Sequence, residues 1–396
     1  MSKRQLKNGY FLIEGLNSFA TVFYFYYFYF FMQSRFGFGD QANLVLAALS
    51  GLVCMAGSWY GGRFAQRHGY FLALKIGFGL MALSLAIGLT VSAASGQILL
   101  MLTAVLGMTF TWPTLEALVS EDESRASLQH LVGLYNIIWA ATAALAYFIG
   151  GALLEKLSMQ SLFFVPLASF LVQLGLTFWL EQAAKNAPHS PAFDTKEAPT
   201  GPPEIPHAPG EAKMFLRLAW LANPFAYIAI NTLIAVMPGV AQRLGLSTTL
   251  AGFCCSLWCF GRLAAFVGLW IWPGWHYRFR WLLAAFIILI GTFAVILTVP
   301  NLATVLLAEL VFGLAIGLIY YSSLFYSMDV GDTKGEHGGI HEAAIGAGNF
   351  AGPAVGAVSL HFLPQYASTE AVAVSVLLLC GLGGLLWLRR GGMSAH

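Results

Sequence analysis

Charge is what this sequence has least of: Asp, Glu, Lys and Arg make up 10% of its 396 residues, against roughly one quarter in soluble domains. That shortage excludes an ordinary water-soluble globule. The net charge of +2 says little about partners, because in a membrane protein the location of charge matters more than its sum; no nucleic acid is expected as a partner. Cysteine is scarce too. Cys54, Cys254, Cys255, Cys259 and Cys380 all fall inside apolar runs, with neither metal-ligand spacing nor the frame of a disulfide-rich secreted domain, and they read as packing residues. No nucleotide-binding signature occurs, so ATP is not expected to be the driver and no cofactor is expected. A cleavable signal is also missing, because the apolar run that follows Lys3, Arg4 and Lys7 reaches Met32. That is too long for a signal core and reads as a first membrane span.

What is present is apolar sequence, 58% of the chain. With about 20 apolar residues per helical span, hydropathy predicts an all-α integral membrane protein of twelve helices. They lie near 10–32, 42–62, 71–92, 97–118, 131–153, 161–181, 215–238, 249–272, 281–299, 302–327, 339–362 and 370–388. With the N-terminus in the cytoplasm, all but four of the 20 Lys and Arg fall inside; Arg35, Lys156 and Arg243 fall outside and Arg262 within a span. The positive-inside rule demands that asymmetry. It predicts a multi-pass protein of the cytoplasmic (inner) membrane with both termini cytoplasmic and the lipid bilayer as its surroundings.

Seven of the 15 prolines sit between Glu181 and Lys213, among Ser, Thr, Glu and His. This reads as a flexible cytoplasmic linker over 182–213, dividing six-helix bundles at 1–181 and 214–396. The halves echo each other. Arg35-Phe-Gly37-Phe answers to Arg243-Leu-Gly245-Leu, and Gly133-x-x-Asn136 to Gly346-x-x-Asn349.

Between the second and third spans, Gly57 to Tyr70 reads as a glycine-punctuated basic hairpin, and its Gly62-x-x-x-Gln66-Arg67-x-Gly69 resembles the loop signature Gly-x-x-x-Asp-Arg-x-Gly-Arg of the major facilitator superfamily. Gln66 stands where that family has its acid and Tyr70 where it has a basic residue. Gly348-Asn-Phe-Ala-Gly352-Pro353-Ala-Val-Gly356 follows the family pattern Gly-x-x-x-Gly-Pro-x-x-Gly, which its drug/proton antiporters carry in the fifth helix. Here the fifth helix reads Ala146-Tyr-Phe-Ile-Gly150-Gly151 and the fourth lacks those antiporters' arginine, so the resemblance assigns no subfamily. It implies two parallel repeats, a gating loop at Gly62, Gln66, Arg67 and Gly69, a monomer, and alternating access to one central site.

Polar side chains in hydrocarbon cost several kcal/mol unless paired or facing water, so each marks a cavity or a helix contact. Glu14, Asn17, Thr21, Tyr24 and Phe28 alternate at spacings of three and four, a stripe on one face of the first span. It faces either the cavity or a neighbouring helix. Thr109, Trp112 and Glu116 share a face of the fourth span; Asn136 and Trp139 lie one turn apart in the fifth; Asn223, Tyr227 and Asn231 follow at fours in the seventh. These asparagines serve as ligand contacts or as interhelical hydrogen bonds. Arg262 and Glu309 are the deepest charges, and an Arg262–Glu309 pair is expected, either structural or with Arg262 holding an anionic solute while Glu309 takes a proton; Tyr320 lies on the face of Glu309. His337, His341 and Glu342 precede Asn349, as a proton-handling group or as a cap on the helix start; a fixed metal is not expected.

Together with the resemblance, these residues imply a secondary transporter, not an enzyme, that moves a small polar or anionic organic solute. Its substrate cavity is formed by Asn17, Thr21, Tyr24, Trp112, Asn136, Trp139, Asn231, Arg262, Tyr320 and Asn349. Protons are the expected coupling ion, through Glu14, Glu309, His341 or Glu342. Multidrug efflux by proton antiport and a membrane-embedded metal-dependent enzyme are the rivals.

Overall fold

A helix satisfies its own backbone N–H and C=O groups and so can cross hydrocarbon, and all twelve apolar runs are helical in the computed structural model, which describes residues 2–121, 125–186, 209–330 and 336–393. The first half contributes α1 (Lys3–Phe36), α2 (Asp40–His68), α3 (Tyr70–Gly88), α4 (Ala94–Ser120), α5 (Arg125–Lys156) and α6 (Ser161–Lys185). The second contributes α7 (Pro209–Arg243), α8 (Thr248–Cys255), α9 (Leu257–Ile271), α10 (Phe279–Thr298), α11 (Leu302–Val330), α12 (Glu336–Phe362) and α13 (Thr369–Met393). Among the described residues there is no strand. Eleven segments are long and apolar enough to cross a membrane, with Thr248–Ile271 counting as one. The remaining helix of that length, α1, carries its apolar character on Tyr and Phe and is interrupted by Glu14, Asn17 and Ser18.

The predicted span 249–272 is two helices, broken at Ser256. Of the predicted linker, residues 187–208 lie outside the described residues; its ends are helical, since α6 runs to Lys185 and α7 begins at Pro209.

The hairpin expected from Gly57 to Tyr70 is corrected by the structure. α2 continues through Gly62, Gln66 and Arg67 to His68, and Gly69 alone separates it from α3. Gly57 and Gly61 are packing positions: a Cβ on Gly57 would lie 2.7 Å from Thr109 Oγ1, and one on Gly61 2.5 Å from the Thr109 carbonyl. Their four-residue spacing lets α2 lie close against α4. The turn itself falls on Gly69, at φ 100° and ψ 141°, a conformation open to glycine and strained for any other residue. Gly69→Ala is expected to cost about 1–3 kcal/mol, read as a lower unfolding temperature in detergent. Gly79→Ala, in α3 with open space around an added Cβ, is the control that should not destabilise.

The repeat seen in the sequence has a physical counterpart. Gly37 ends α1 at φ 72° and Gly245 follows α7 at φ 67°, so the same left-handed cap closes the first helix of each half.

Within each half the helices pack on one another, and the halves meet along two seams. The more extensive is α2 against α12. There, Gly51 lies against the backbone of Asn349 and Phe350, and a Cβ on Gly346 would come within 2.5 Å of the Met55 nitrogen. The other is α5 against α8 and α9. At the end of the bundle away from the termini, Gly151 meets the Thr248 carbonyl, the Thr249 amide donates to Glu155 Oε2 at 2.8 Å, and the ring of Phe148 packs tilted against that of Phe253 at 4.6 Å. Asp40 and Arg243 add an ion pair of 3.5 Å between the halves at the same end.

Candidate functional site

Between the halves lies a cavity of about 140 Å³ lined by residues of α1, α2, α4, α5, α7, α9, α11 and α12. Aromatic side chains make up a third of its wall: Phe25, Tyr26 and Tyr29 from α1, Trp112 from α4, Tyr135 and Trp139 from α5, Tyr227 from α7 and Tyr320 from α11. Into it project three carboxyl side chains, Glu14, Glu116 and Glu342, and one guanidinium, Arg262. Glu14 and Glu116 belong to the first half and Glu342 to the second.

The three acids form a group. Glu342 is within electrostatic reach of both Glu116 and Glu14, and Glu14 of Glu116. Ser18 donates to Glu14 Oε1 at 2.7 Å, which leaves Oε2 without a partner. Among the described residues no three His, Cys, Asp or Glu side chains are grouped closely enough to hold a metal ion.

Arg262 is the one guanidinium in the wall. Its guanidinium carbon lies 4.3 Å from the ring centre of Trp139 and 4.9 Å from that of Trp258, a cation–π arrangement that desolvation strengthens. Nε and Nη2 have no hydrogen-bond partner. Trp139 is held by a hydrogen bond from its Nε1 to Asn136 Oδ1 at 2.8 Å, so Asn136, itself outside the lining, orients one face of the cage.

The Arg262–Glu309 pair expected from the sequence is not formed. Arg262 is drawn over the indoles, and both carboxyl oxygens of Glu309 lack a hydrogen-bond partner. Glu309 is fully buried in α11 and absent from the cavity wall. Its carboxyl group lies beside the backbone of Leu257 and Trp258, the first residues of α9 after the break at Ser256, without a hydrogen bond to either. Glu309→Ala is expected to lower stability by about 2–4 kcal/mol through the void it leaves. Glu309→Gln keeps shape and acceptor and should cost under about 1 kcal/mol; thermal unfolding in detergent distinguishes the two.

The other expected residues divide as follows. Thr21, Trp112, Trp139, Asn231, Arg262, Tyr320 and Asn349 line the cavity together with Glu14 and Glu342. Asn231 Nδ2 donates to Asn349 Oδ1, tying α7 to α12. Asn17 and Tyr24 do not line it: both are buried, and Tyr24 packs edge-on against Phe163 of α6. The cavity face of α1 runs instead through Glu14, Ser18, Thr21, Phe25 and Tyr29, rotated from the predicted stripe. Aromatic residues occupy both faces of α1, so polarity alone could not orient it. His341 stands behind the wall, its ring 5.8 Å from that of Tyr320 and its Nε2 unpartnered. The side chain of His337 lies outside the described residues. Tyr135 was missed, although it precedes Trp139 by one helical turn and so shares its face.

In sequence, residues 10–340 match the Major Facilitator Superfamily. No curated protein matches the chain significantly. In structure it resembles the nucleoside transporter NupG (TM-score 0.65, 14% identity, covering 98% of each chain). It also resembles a bacterial homologue of the human lysosomal transporter Spinster in an inward-facing, unoccupied conformation (0.68, 12%, covering 99% of this chain and 96% of that one). A third likeness is to the human organic anion transporter MFSD10 (0.65, 14%, covering 97% and 99%). At these identities the likeness is one of fold.

Proposed function

The chain belongs to the Major Facilitator Superfamily, and from that premise we propose that it is a secondary active transporter that carries a small polar organic solute through the central cavity by alternating access, coupled to protons. The observation that carries this reading is the meeting of three carboxyl groups, contributed by both halves, in one cavity lined in part by aromatic rings. Three such groups repel one another when ionised, and each proton or cation bound relieves that repulsion. Glu342 faces Glu14 and Glu116 across the division between halves, so their charge state bears directly on how closely the halves approach. Occupancy of the site and the rocking of the halves are thereby linked, as alternating access requires.

The solute meets aromatic faces, the amides of Asn231 and Asn349, and Arg262, whose free donors suit an acidic group. Proton coupling is assigned to Glu342 and Glu14, with Glu116 beside them. Glu309, outside the cavity wall, is assigned to the α9–α11 seam. Both termini are placed in the cytoplasm of a cell whose inner membrane holds the protein, on the distribution of Lys and Arg. The cavity is complete within one chain, which supports a monomer. Two structural neighbours are named for nucleosides and organic anions, small polar solutes of the proposed kind.

The test is purified protein in proteoliposomes with an imposed pH gradient, a solute library outside and internal pH read by a trapped dye. Solute entry with a matching proton current is expected. Uptake that ignores the pH gradient, for every solute that enters, would remove the proton coupling.

A further inference from the structure

The only cation on the cavity wall, Arg262, is 3% exposed. The rings of Trp139 and Trp258 lie 4.3 and 4.9 Å from its guanidinium carbon, and Tyr26, stacked on Trp258 at 6.1 Å, stands beside it. Rings balance the charge and leave donors over. The two without a partner are Nε and Nη2. In a guanidinium these are neighbours: Nη2 is the terminal nitrogen on the side of the Nε–H, so their N–H bonds run parallel along one edge. Covalent geometry fixes the spacing of that edge, which matches the two oxygens of a carboxylate. No group of the protein takes it, and a buried charged donor without a partner is costly. Trp139 belongs to α5 of the first half and Arg262 to α9 of the second. A parting of these helices therefore uncovers the buried edge toward the cavity that Arg262 borders.

From this edge we infer that the solute is a monocarboxylate built on about one aromatic ring, held side-on by Arg262 through both carboxylate oxygens. The inference rests on the reading of this cavity as the transport site. The cavity of about 140 Å³ is close to the roughly 150 Å³ that encloses one benzene ring, and the aromatic third of its wall suits a flat body. A second acid on the solute would find no second cation there. The charged groups of the wall are Arg262 of α9, Glu14 of α1, Glu116 of α4 and Glu342 of α12; Cys54 of α2 and tyrosines of α1, α5, α7 and α11 are its other titratable groups. Ionised, the three carboxyls repel an anion, and protonated they do not, so anion and protons favour each other's binding. Solute and proton then cross in the same direction.

The experiment is calorimetric titration of the full-length protein in detergent at about pH 5.5 and about pH 7.5, both above the ordinary carboxyl range. The probes are benzoate, its neutral amide benzamide, the dianion terephthalate and the saturated cyclohexanecarboxylate. A charge-assisted contact corresponds to about 10–100-fold in affinity and a ring contact to about 2–10-fold. Benzoate is therefore expected to bind at least about tenfold tighter than benzamide or terephthalate, about 2–10-fold tighter than cyclohexanecarboxylate, and tighter at the lower pH. Arg262→Gln should bring benzoate down to the level of benzamide. Arg262→Lys, a point charge without the fork, should restore only part of the difference. An arginine that served the fold alone would shift both ligands together and leave their ratio unchanged. Unfolding temperatures measured alongside identify a variant that has failed to fold, and the wild-type ranking decides the matter without any variant. Benzamide, terephthalate or cyclohexanecarboxylate binding as tightly as benzoate, full restoration by Arg262→Lys, or no benzoate binding at either pH would each overturn the inference. Proton-coupled flux of some other solute in proteoliposomes would then still stand. The expected ranking with equal affinity at both pH values would instead uphold the carboxylate and remove the protons, so the two readings fail separately.

Discussion

Glu342→Gln is expected to abolish the accumulation of solute driven by an imposed pH gradient while leaving exchange of solute at equal pH largely intact. Glutamine keeps the size and hydrogen-bonding edge of the side chain and cannot exchange a proton. A pH difference of one unit stores about 1.4 kcal/mol per proton, enough for about tenfold accumulation; losing one coupled proton therefore lowers the steady-state gradient about tenfold for each unit of pH difference. Glu342 is the acid for which this expectation is sharpest. It is the member of the group that comes from the second half, and it interacts with both acids of the first. Replacing it removes the repulsion across the division between halves that proton binding would relieve. Glu14 shares its charge with the Ser18 hydroxyl at 2.7 Å, so Glu14→Gln should weaken coupling less. Glu309→Gln should leave it unchanged. The measurement is solute uptake and internal pH in proteoliposomes for the three variants. A Glu342→Gln protein that still concentrates solute against its gradient would transfer the proton to another group.

The fold was legible in the sequence because hydrocarbon imposes a single rule, that the backbone satisfy itself, and twelve apolar runs allow few ways to obey it. The duplication was legible at Gly37 and Gly245, where a left-handed residue closes a helix and leaves a mark in the residue type. Arg262, Trp139, Tyr320 and Glu342 could be picked out as rare polar or amphipathic groups in apolar helices. Their partners could not. Arg262 had an acid at similar depth, and the sequence offered no means of seeing that two indoles would take the guanidinium while Glu309 lay unpaired and buried beside the start of α9. Helix rotation was equally hidden in α1, where Tyr24 packs against α6 and Tyr26 faces the cavity; two tyrosines two residues apart carry the same polarity. Glycine was ambiguous for a different reason. Gly57, Gly61 and Gly69 share one short stretch, and only the last is a turn; the others are contact points that let α4 approach.

Glycine also gives the other large expected effect. Gly151→Leu is expected to hold the halves apart at the end of the bundle away from the termini and to reduce transport by about 10–100-fold, with solute binding retained. Gly151 lies against the carbonyl of Thr248 and, were a Cβ present, 3.3 Å from the amide of Gly252. The obstacles are backbone atoms of α8 and cannot rotate away. Overfilling a packed contact costs about 1–3 kcal/mol, which is paid only in conformations where α5 touches α8. Conformations open at that end escape it, so the penalty becomes a shift of about 10–100-fold in their population. The cavity wall is untouched, because neither Gly151 nor Thr248 contributes to it. Spin labels at Lys156 and Asn301, exposed residues of opposite halves at that end, should report a longer mean separation in the variant. Gly175→Leu, a helical position with open space around an added Cβ, should leave both distance and transport as in the wild type. An unchanged separation in Gly151→Leu with full transport would mean that the α5–α8 seam stays closed throughout the cycle and that the halves rock about it.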